Sequence, residues 1–294
     1  MIAVRPAEVV RRGADYLARH GVQSPEHDAE QLMLMVLDLD RAGLHARAEG
    51  LDPAEAKLYG RALCRRCTGI PLQHLTGEQG FRRLVVQVRP GVFVPRPETE
   101  IVVEEALERL VGVREPVVAD ACTGTGAVAL SIAQEHPGAR VIATDLSPEA
   151  ALLARDNAAA LGLDVDVRDG DLLEPVDGPL DLVTCNPPYV AASARAALPP
   201  EVLADPALAV FGGPPLYARL FAQAFERLRP GGSVVVEIEE SAAVTIAALA
   251  EAAGFDEIQV RSDLTGRDRV VAARRPMTGS TRSTRSTRST RSTR

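Results

Sequence analysis

From residue 117 onward, short apolar segments alternate with longer helical patterns, and this alternation limits the possible folds more than any other feature. The apolar segments predict strands at residues 117–120, 141–144, 165–167, 181–184, 233–237, 257–261 and 269–273. Helices are predicted between them, one ending near residue 136 and others at 148–161, 216–228 and 242–253. Such alternation is typical of a doubly wound α/β fold with a mostly parallel sheet. Only a short loop separates the last two strands, so one of them is predicted to be antiparallel.

The first 75 residues show a different pattern and are predicted to form a small helical domain. Ser24-Pro25 and Asp52-Pro53 each place a capping residue before a proline, which favours the start of a helix. Glu55 stands three residues after Asp52, as in a capping box. This segment therefore differs in class from the alternating region that follows.

Residues 76–96 are predicted to form a β-hairpin that links the helical domain to the main domain, residues 97–275. Its strands are expected at 84–88 and 92–94, with Arg89-Pro90-Gly91 as the turn. Residues 276–294 form a tail with repeated Ser-Thr-Arg from residue 280. Because that repeat has no apolar side chain, it cannot form a core, and we predict a disordered tail.

The charge of the chain argues against a general nucleic-acid binder. The net charge is −7, and the tail contributes five arginines, so the rest of the chain carries −12. Nonspecific binding to nucleic acid depends on cationic contacts with phosphates. We therefore expect no direct nucleic-acid partner and a better match to a basic protein or peptide.

Cysteine content and hydropathy indicate a cytoplasmic protein without structural disulfides. The four cysteines are too few and too scattered for a disulfide framework. Cys64 and Cys67 form a C-x-x-C, but no second ligand pair completes a metal site, so no metal is predicted. No apolar run approaches the ~20 residues that span a membrane, and the first residues lack a signal-peptide core.

A glycine-rich loop joins the first predicted strand of the alternating region to its helix. Its residues are Cys122, Thr123, Gly124, Thr125 and Gly126, and the glycines allow close approach of a ligand to the backbone. Nineteen residues later, Asp145 ends the second strand, where a carboxylate can accept both ribose hydroxyls of an adenosine. The stretch 124–129 also fits G-x-G-x-x-A, so a dinucleotide oxidoreductase stays open on this pattern alone.

Two further residues follow the third predicted strand near the expected position of the adenine. Asp171 can accept the adenine amino group, and Leu172 can give apolar contact. A turn cap within Asp169-Gly170-Asp171 is an equally good interpretation of Asp171.

The tetrapeptide Asn186-Pro187-Pro188-Tyr189 ends the strand predicted at 181–184. An amide nitrogen is a poor nucleophile because its lone pair is conjugated with the carbonyl. The Asn186 side-chain oxygen and the Pro187 carbonyl can each accept one N–H of such a group. The two prolines make the turn rigid, and Tyr189 can lie against a planar group. An ordinary turn remains the simplest alternative, since Asn-Pro marks turns.

This tetrapeptide decides between the two cofactor classes. A dehydrogenase has no use for Asn-Pro-Pro-Tyr at that strand end, whereas a methyltransferase places its acceptor there. Ligands of open α/β sheets bind at the carboxyl ends of the strands, so Gly124, Gly126, Asp145 and Asn186 are expected to meet in one crevice. The sequence therefore favours a methyltransferase over an oxidoreductase.

The chain resembles the HemK/PrmC family of peptide chain release factor glutamine methyltransferases over about residues 5–275. Besides the glycine loop and Asn186-Pro187-Pro188-Tyr189, three motifs carry the resemblance. These are Pro71-Leu72-Gln73-His74-Leu75-Thr76-Gly77, Pro95-Arg96-Pro97-Glu98-Thr99-Glu100 and Leu264-Thr265-Gly266-Arg267-Asp268-Arg269.

The resemblance implies a class I S-adenosylmethionine-dependent methyltransferase fold. It implies S-adenosylmethionine as the methyl donor and the glutamine amide of the release-factor Gly-Gly-Gln loop as the acceptor. It implies a cytoplasmic, monomeric enzyme whose helical domain recognises the substrate. Implied cofactor-binding residues are Cys122, Thr123, Gly124, Thr125, Gly126, Asp145, Asp171, Leu172 and Asn186. Implied substrate-binding residues are Asn186, Pro187, Pro188 and Tyr189, with Asn186, Pro187 and Tyr189 in catalytic roles.

The chain departs from the family pattern at several positions. Cys122 replaces the usual first glycine of the loop, and a cysteine tolerates positive φ poorly, so the loop start is expected to differ. Leu172 replaces a common aromatic residue, Asp205-Pro206 stands where Glu-Pro is common, and the segment between Tyr189 and Phe211 looks short. The alternatives are a methyltransferase for a ribosomal-protein glutamine or for a base amino group, and a cofactor-binding module without turnover.

Overall fold

The computed structural model describes residues 5–277, so the prediction for the tail falls almost wholly outside the described residues. The amino-terminal part contains five helices: α1 (Pro6–Arg19), α2 (Pro25–Leu37), α3 (Arg41–Ala46), α4 (Pro53–Cys67) and α5 (Leu72–Thr76). They enclose a small apolar core of their own, with Leu17, Leu32, Met33 and Tyr59 almost fully buried.

The predicted capping box at the start of α4 is confirmed. The Asp52 side chain accepts a hydrogen bond from the Glu55 backbone N–H, and the Glu55 carboxylate accepts one from the Asp52 N–H, both at 2.8 Å. Ser24 does precede α2, but its side chain makes no capping hydrogen bond.

The linking hairpin uses one of the two predicted strands, residues 84–88, but pairs it with a different segment. Strands β1 (Glu78–Phe81) and β2 (Leu84–Gln87) pair antiparallel around a turn at Arg82 and Arg83. The predicted second strand, 92–94, is not a strand. Val92 and Val94 are apolar because they are buried, Val92 against Ala150 and Leu153, and not because they pair with β2.

The main domain contains seven strands and the helices between them. The strands are β3 (Val117–Ala121), β4 (Arg140–Asp145), β5 (Val165–Asp169), β6 (Leu180–Cys185), β7 (Leu228–Glu237), β8 (Asp256–Ser262) and β9 (Asp268–Arg274). The helices are α6 (Glu100–Arg109), α7 (Ala127–Glu135), α8 (Pro148–Leu161), α9 (Pro200–Leu203), α10 (Ala207–Val210), α11 (Pro214–Arg227) and α12 (Ala243–Ala252).

The strands form one mixed sheet in the order β5-β4-β3-β6-β7-β9-β8. All neighbours are parallel except β9, which is antiparallel to both β7 and β8. One face packs on α11 and α12 through Tyr217, Phe221 and Ile246. The other packs on α6 and α7 through Val103 and Ile132. The predicted doubly wound fold with one antiparallel strand near the end of the chain is confirmed.

The register of the parallel strands brings three loops together. Ala121 at the end of β3 is paired with Thr144 of β4 and with Cys185 of β6. The segments that follow these strands therefore leave the sheet side by side at its carboxyl edge, where ligands of such sheets bind.

Asn157 of α8 joins the hairpin to the main domain. Its side chain is almost fully buried. Its oxygen accepts from the Gln87 N–H at 2.8 Å, and its amino group donates to the carbonyls of Gln87 and Thr125 at 3.1 and 2.9 Å. One side chain thus ties the edge of β2 to the glycine loop.

None of the helices within residues 5–277 has the length and apolar character needed to cross a lipid bilayer.

Replacing Asn157 with alanine should destabilise the fold. The change removes the side-chain partner of two carbonyls and one N–H, of which the Thr125 carbonyl contact is buried. We expect the free energy of unfolding to fall by about 1–3 kcal/mol. Denaturant unfolding measures this. The neighbouring Asp156→Ala variant is the control, because it removes only a half-exposed ion pair with Arg89, and such a pair contributes less than about 1 kcal/mol. Equal stability of the two variants would contradict the proposed role of Asn157.

Candidate active site

A cavity of about 740 Å³ lies at the carboxyl ends of β3, β4 and β6. Its volume is in the range of ligand-binding sites. The predicted site residues that line it are Cys122, Thr123, Gly124, Thr125, Asp145, Asp171, Leu172, Asn186, Pro187, Pro188 and Tyr189. The structure therefore brings both predicted groups, the glycine loop and the Asn-Pro-Pro-Tyr turn, into one space.

The glycine loop starts with a residue in the left-handed region. Cys122 has φ of 57°, a conformation that typically costs a residue with a Cβ roughly 1–2 kcal/mol. Cys122 thus adopts the positive φ that a glycine would take at this position. The sequence suggests instead that the start of the loop differs. At Gly124, with φ of 58°, a Cβ would meet no atom within 4 Å, so this backbone borders open space.

Gly126 is the one predicted site residue that does not line the cavity. It caps α7 with φ of 85°. A Cβ at this position would lie 3.1 Å from the Leu130 side chain and 3.2 Å from the Ala154 side chain. Its glycine is thus required for close packing of α7 against α8, and not for contact with the cavity.

Asp145 holds the glycine loop in place. One carboxylate oxygen accepts from the Gly124 N–H at 2.8 Å and the other from the Ser147 N–H at 2.9 Å. Each oxygen keeps further acceptor capacity on the cavity side. Burial raises the pKa of this carboxyl, against the hydrogen bonds from the backbone.

Asp120, which the sequence analysis does not single out, lies under the loop. It is buried and accepts from the Thr123 and Thr184 hydroxyls at 2.7 and 2.8 Å. Burial raises its pKa to about 6, although both hydroxyls lower it. The sequence did contain a signal for Asp120: it is an acidic residue at the end of an apolar strand, directly before a glycine loop.

Asp171 and Leu172 line the far end of the cavity. The Asp171 carboxylate is paired with the Arg219 guanidinium, so it is not simply a turn cap. Leu172 is buried with φ of 50°, and it contributes an apolar wall. That Asp171 and Leu172 contact an adenine stays a prediction.

The Asn186 side chain has a fixed orientation. Its amino group donates to the Thr99 hydroxyl at 3.1 Å, which leaves its oxygen free to accept a hydrogen bond in the cavity. Thr99 belongs to a 3₁₀ turn, Pro97–Thr99, within one of the motifs that carry the family resemblance. Its contact with Asn186 spans 87 positions of sequence.

Tyr189 donates its hydroxyl hydrogen to Glu237 at 3.3 Å. Glu237 ends β7 and is almost fully buried. Burial and the Glu237 charge both raise the pKa of Tyr189, so the phenol is neutral. The sequence analysis missed Glu237, although a charged residue at the end of the apolar strand 233–237 was a usable signal.

Residues 190–213, here called the roof segment, cover one side of the cavity. A bridge between Val190 and Phe211 closes its two ends. Leu198, Val202 and Phe211 face the cavity. Gly212 passes so close to the Asn-Pro-Pro-Tyr turn that a Cβ would lie 2.0 Å from the Pro188 carbonyl oxygen, so no larger residue fits there.

Asp205 anchors the roof segment to the linker after the hairpin. It is buried, accepts from the Val94 N–H at 3.2 Å, and pairs with the Arg96 guanidinium. The aspartate that departs from the family pattern therefore has full hydrogen-bonding partners. Arg96 also lies over the Phe93 ring, 5.2 Å from its centroid.

Two family models match the chain. Residues 8–77 match the PrmC N-terminal domain, and residues 84–207 match the methyltransferase small domain. The main domain is also similar in fold to a 16S rRNA N2 G1207 methyltransferase from T. thermophilus. The TM-score is 0.51 at 21% identity, over 67% of this chain and 49% of that one.

Curated relatives match nearly the whole chain. A protein of Deinococcus radiodurans is 46% identical over 88% of this chain and 94% of its own length. A protein of Moorella thermoacetica is 44% identical over 91% of this chain and 96% of its own length. A protein of Mycolicibacterium smegmatis is 43% identical over 88% of this chain and 94% of its own length. All three are named release factor glutamine methyltransferase. This chain belongs to the family of release factor glutamine methyltransferases.

Proposed function

We propose that this enzyme methylates the side-chain amide nitrogen of the glutamine in the Gly-Gly-Gln loop of peptide chain release factors, with S-adenosylmethionine as donor. The observation that carries the proposal is the Asn186 carboxamide, held by Thr99 with its oxygen toward the cavity. A hydrogen-bond acceptor in this position suits a primary amide as substrate, because a primary amide presents two N–H groups. The names of the relatives support the same substrate.

The cavity suits a reaction that depends on positioning. The Asn186 oxygen and the Pro187 carbonyl can each accept one N–H of the glutamine, which fixes the plane of its amide. Tyr189 and the apolar side chains of the roof segment exclude water from this end. Orientation of two reactants in a bound complex can contribute about 7–11 kcal/mol, so neither a nucleophilic side chain nor a strong base is needed.

The other end of the cavity fits the donor. Asp145 offers two acceptor oxygens at the position expected for ribose hydroxyls, and the open backbone at Gly124 allows close approach. Leu172 and Asp171 would contact the adenine, as an apolar wall and as an acceptor. When bound, S-adenosylmethionine supplies an electrophilic methyl group.

The helical domain, residues 1–75, is proposed to recognise the release factor, and residues 97–275 to carry out methyl transfer. In support, Arg66 of α4 reaches across to Glu201 of the roof segment, while its Nε donates to Asp28 at 2.6 Å. A protein bound to the helices would therefore lie next to the cavity mouth. We further propose that the enzyme is a cytoplasmic monomer.

The substrate proposal predicts labelling at one residue. Purified enzyme and labelled donor should methylate a release factor with its loop glutamine intact, and not the same factor with glutamine replaced by asparagine. Scintillation counting and mass spectrometry of the loop peptide give the result. Label on both forms, or only on an added ribosomal-protein or DNA substrate, would contradict the proposed acceptor.

Asn186→Ala should separate chemistry from cofactor binding. We expect methylation to fall on the order of 10²–10³-fold, the range for loss of one positioned hydrogen-bonding group. The dissociation constant of the donor, from calorimetry, should change little. Ser193→Ala, at an exposed position of the roof segment, is the control. Near-normal turnover of the Asn186 variant would exclude the assigned role.

Asp145→Ala should instead weaken binding of the donor. Loss of hydrogen bonds to a charged group should reduce the binding free energy by about 1.5–3 kcal/mol, which calorimetry resolves easily. Asp169→Ala serves as control, since Asp169 is exposed at the end of β5 and pairs only with Arg155 among the described residues. Thermal unfolding checks that both variants are folded. An unchanged donor affinity would contradict the ribose assignment.

A further inference from the structure

Glu237 is a buried carboxyl group beside the reacting end of the cavity, and the mechanism above does not use it. The parallel pairing of Cys185 with Val236 puts Asn186 and Glu237 side by side at the ends of β6 and β7. The Glu237 side chain is 1% exposed. Among the described residues, its Oε2 has no partner that meets hydrogen-bond geometry. A buried carboxyl oxygen in this state requires an explanation.

Both functional side chains of the Asn-Pro-Pro-Tyr turn lead to this one carboxyl group. Tyr189 reaches it directly, with its hydroxyl 3.3 Å from Oε1. Asn186 reaches it through Thr99, whose hydroxyl oxygen accepts from the Asn186 amino group at 3.1 Å. The Thr99 hydroxyl is also near Glu237 and lowers the pKa of that carboxyl, although the two groups do not meet hydrogen-bond geometry in this structure.

The direction of these hydrogen bonds decides which end of the Asn186 amide faces the cavity. A hydroxyl has one hydrogen to donate. If Thr99 gives that hydrogen to a Glu237 carboxylate, only its lone pairs remain for Asn186. Asn186 must then turn its amino group to Thr99 and its oxygen to the cavity. If the carboxyl is protonated, or replaced by an amide, it can donate to Thr99. Thr99 can then donate to the Asn186 oxygen, and the asparagine amide can turn over.

We propose that Glu237 is a positioning residue, whose carboxylate acts through Thr99 to keep the Asn186 oxygen directed at the substrate amide. This inference rests on the proposed function and adds the group that orients its central side chain. Glu237 does not touch the substrate. By attracting the Thr99 hydroxyl hydrogen, it sets the direction of the hydrogen bond between Thr99 and Asn186.

The surroundings of Glu237 give this chain a pH dependence. Burial is the main cause that raises the pKa of Glu237, to about 7, and the charge of Glu98 acts in the same direction. Thr99, Arg269 of β9 and Tyr189 lower it. From α11, Tyr217 donates to the Glu237 backbone carbonyl at 2.7 Å and carries no charge. The carboxylate form therefore dominates above about pH 7, and activity should fall as the pH drops through that value.

The test compares kcat for release-factor methylation between pH 5.5 and 9 in four variants. Glu237→Gln keeps the shape of the side chain and the acceptor for Tyr189, but it replaces Oε2 by a donor. Thr99→Val removes the relay hydroxyl, and Thr99→Ser retains it. Glu105→Gln is the control, since Glu105 is equally buried but pairs with Arg109 and Arg261 away from the cavity.

We expect kcat of Glu237→Gln and Thr99→Val to fall by up to about a hundredfold, the typical effect of misplacing a reacting group by about 1 Å. Their remaining activity should no longer depend on pH near 7. Thr99→Ser and Glu105→Gln should keep the wild-type fall of kcat toward acid pH, here called the acid limb. Donor affinity should be unchanged in all four variants. Calorimetric donor binding and thermal unfolding are measured in parallel.

Two outcomes would overturn the proposal. One is wild-type kcat in Glu237→Gln. The other is a uniform loss of kcat that leaves the acid limb in place, as a purely structural role would give. Either result leaves the release-factor substrate standing. Absence of methylation by the wild-type enzyme would instead contradict the proposed function itself.

Discussion

The parallel pairing of β3 with β4 on one side and β6 on the other is the constraint on which the site depends. Backbone hydrogen bonds fix this register, so that Ala121, Thr144 and Cys185 lie in one row across the sheet. The glycine loop, the segment that follows Asp145 and the Asn-Pro-Pro-Tyr turn all start from that row. A one-residue slip in any of these strands would exchange its two faces and would bury Asp145 or Asn186 in the wrong place.

Polar groups below the cavity surface hold these loops in single conformations. Asp120 binds two threonine hydroxyls, Asp145 binds two backbone N–H groups, and Asp205 binds both Val94 and Arg96. Burial raises the pKa of all three carboxyls. The enzyme therefore obtains a preorganised site from buried acids that are well supplied with hydrogen-bond donors.

Much of this arrangement could be predicted from sequence, because it follows from local patterns at strand ends. The glycine loop, Asp145 and Asn186 are each adjacent to a recognisable apolar strand, and parallel strands end at one edge. Thr99 received no role because its contact with Asn186 depends on packing between distant segments. Glu237 was missed although it ends a recognisable apolar strand. The same limit explains the hairpin. Val92 packs on Ala150 and Leu153 of α8, and Val94 is also buried, but a local pattern cannot distinguish such burial from strand pairing. Gly126 was assigned to the cofactor by its spacing, whereas its closest neighbours are Leu130 and Ala154.

The helical domain is attached to the catalytic domain at two separate points. Through the hairpin and Asn157 it is connected to the glycine loop, and through Arg66 it is connected to the roof segment. If the helices tilt as one rigid body, either the buried Asn157 contacts must break or Glu201 must move with the helices. The half-exposed ion pair between Arg66 and Glu201 is the weaker of the two attachments, so it breaks first. A displacement of the helices would therefore release the roof segment from α4 before it disturbs the glycine loop.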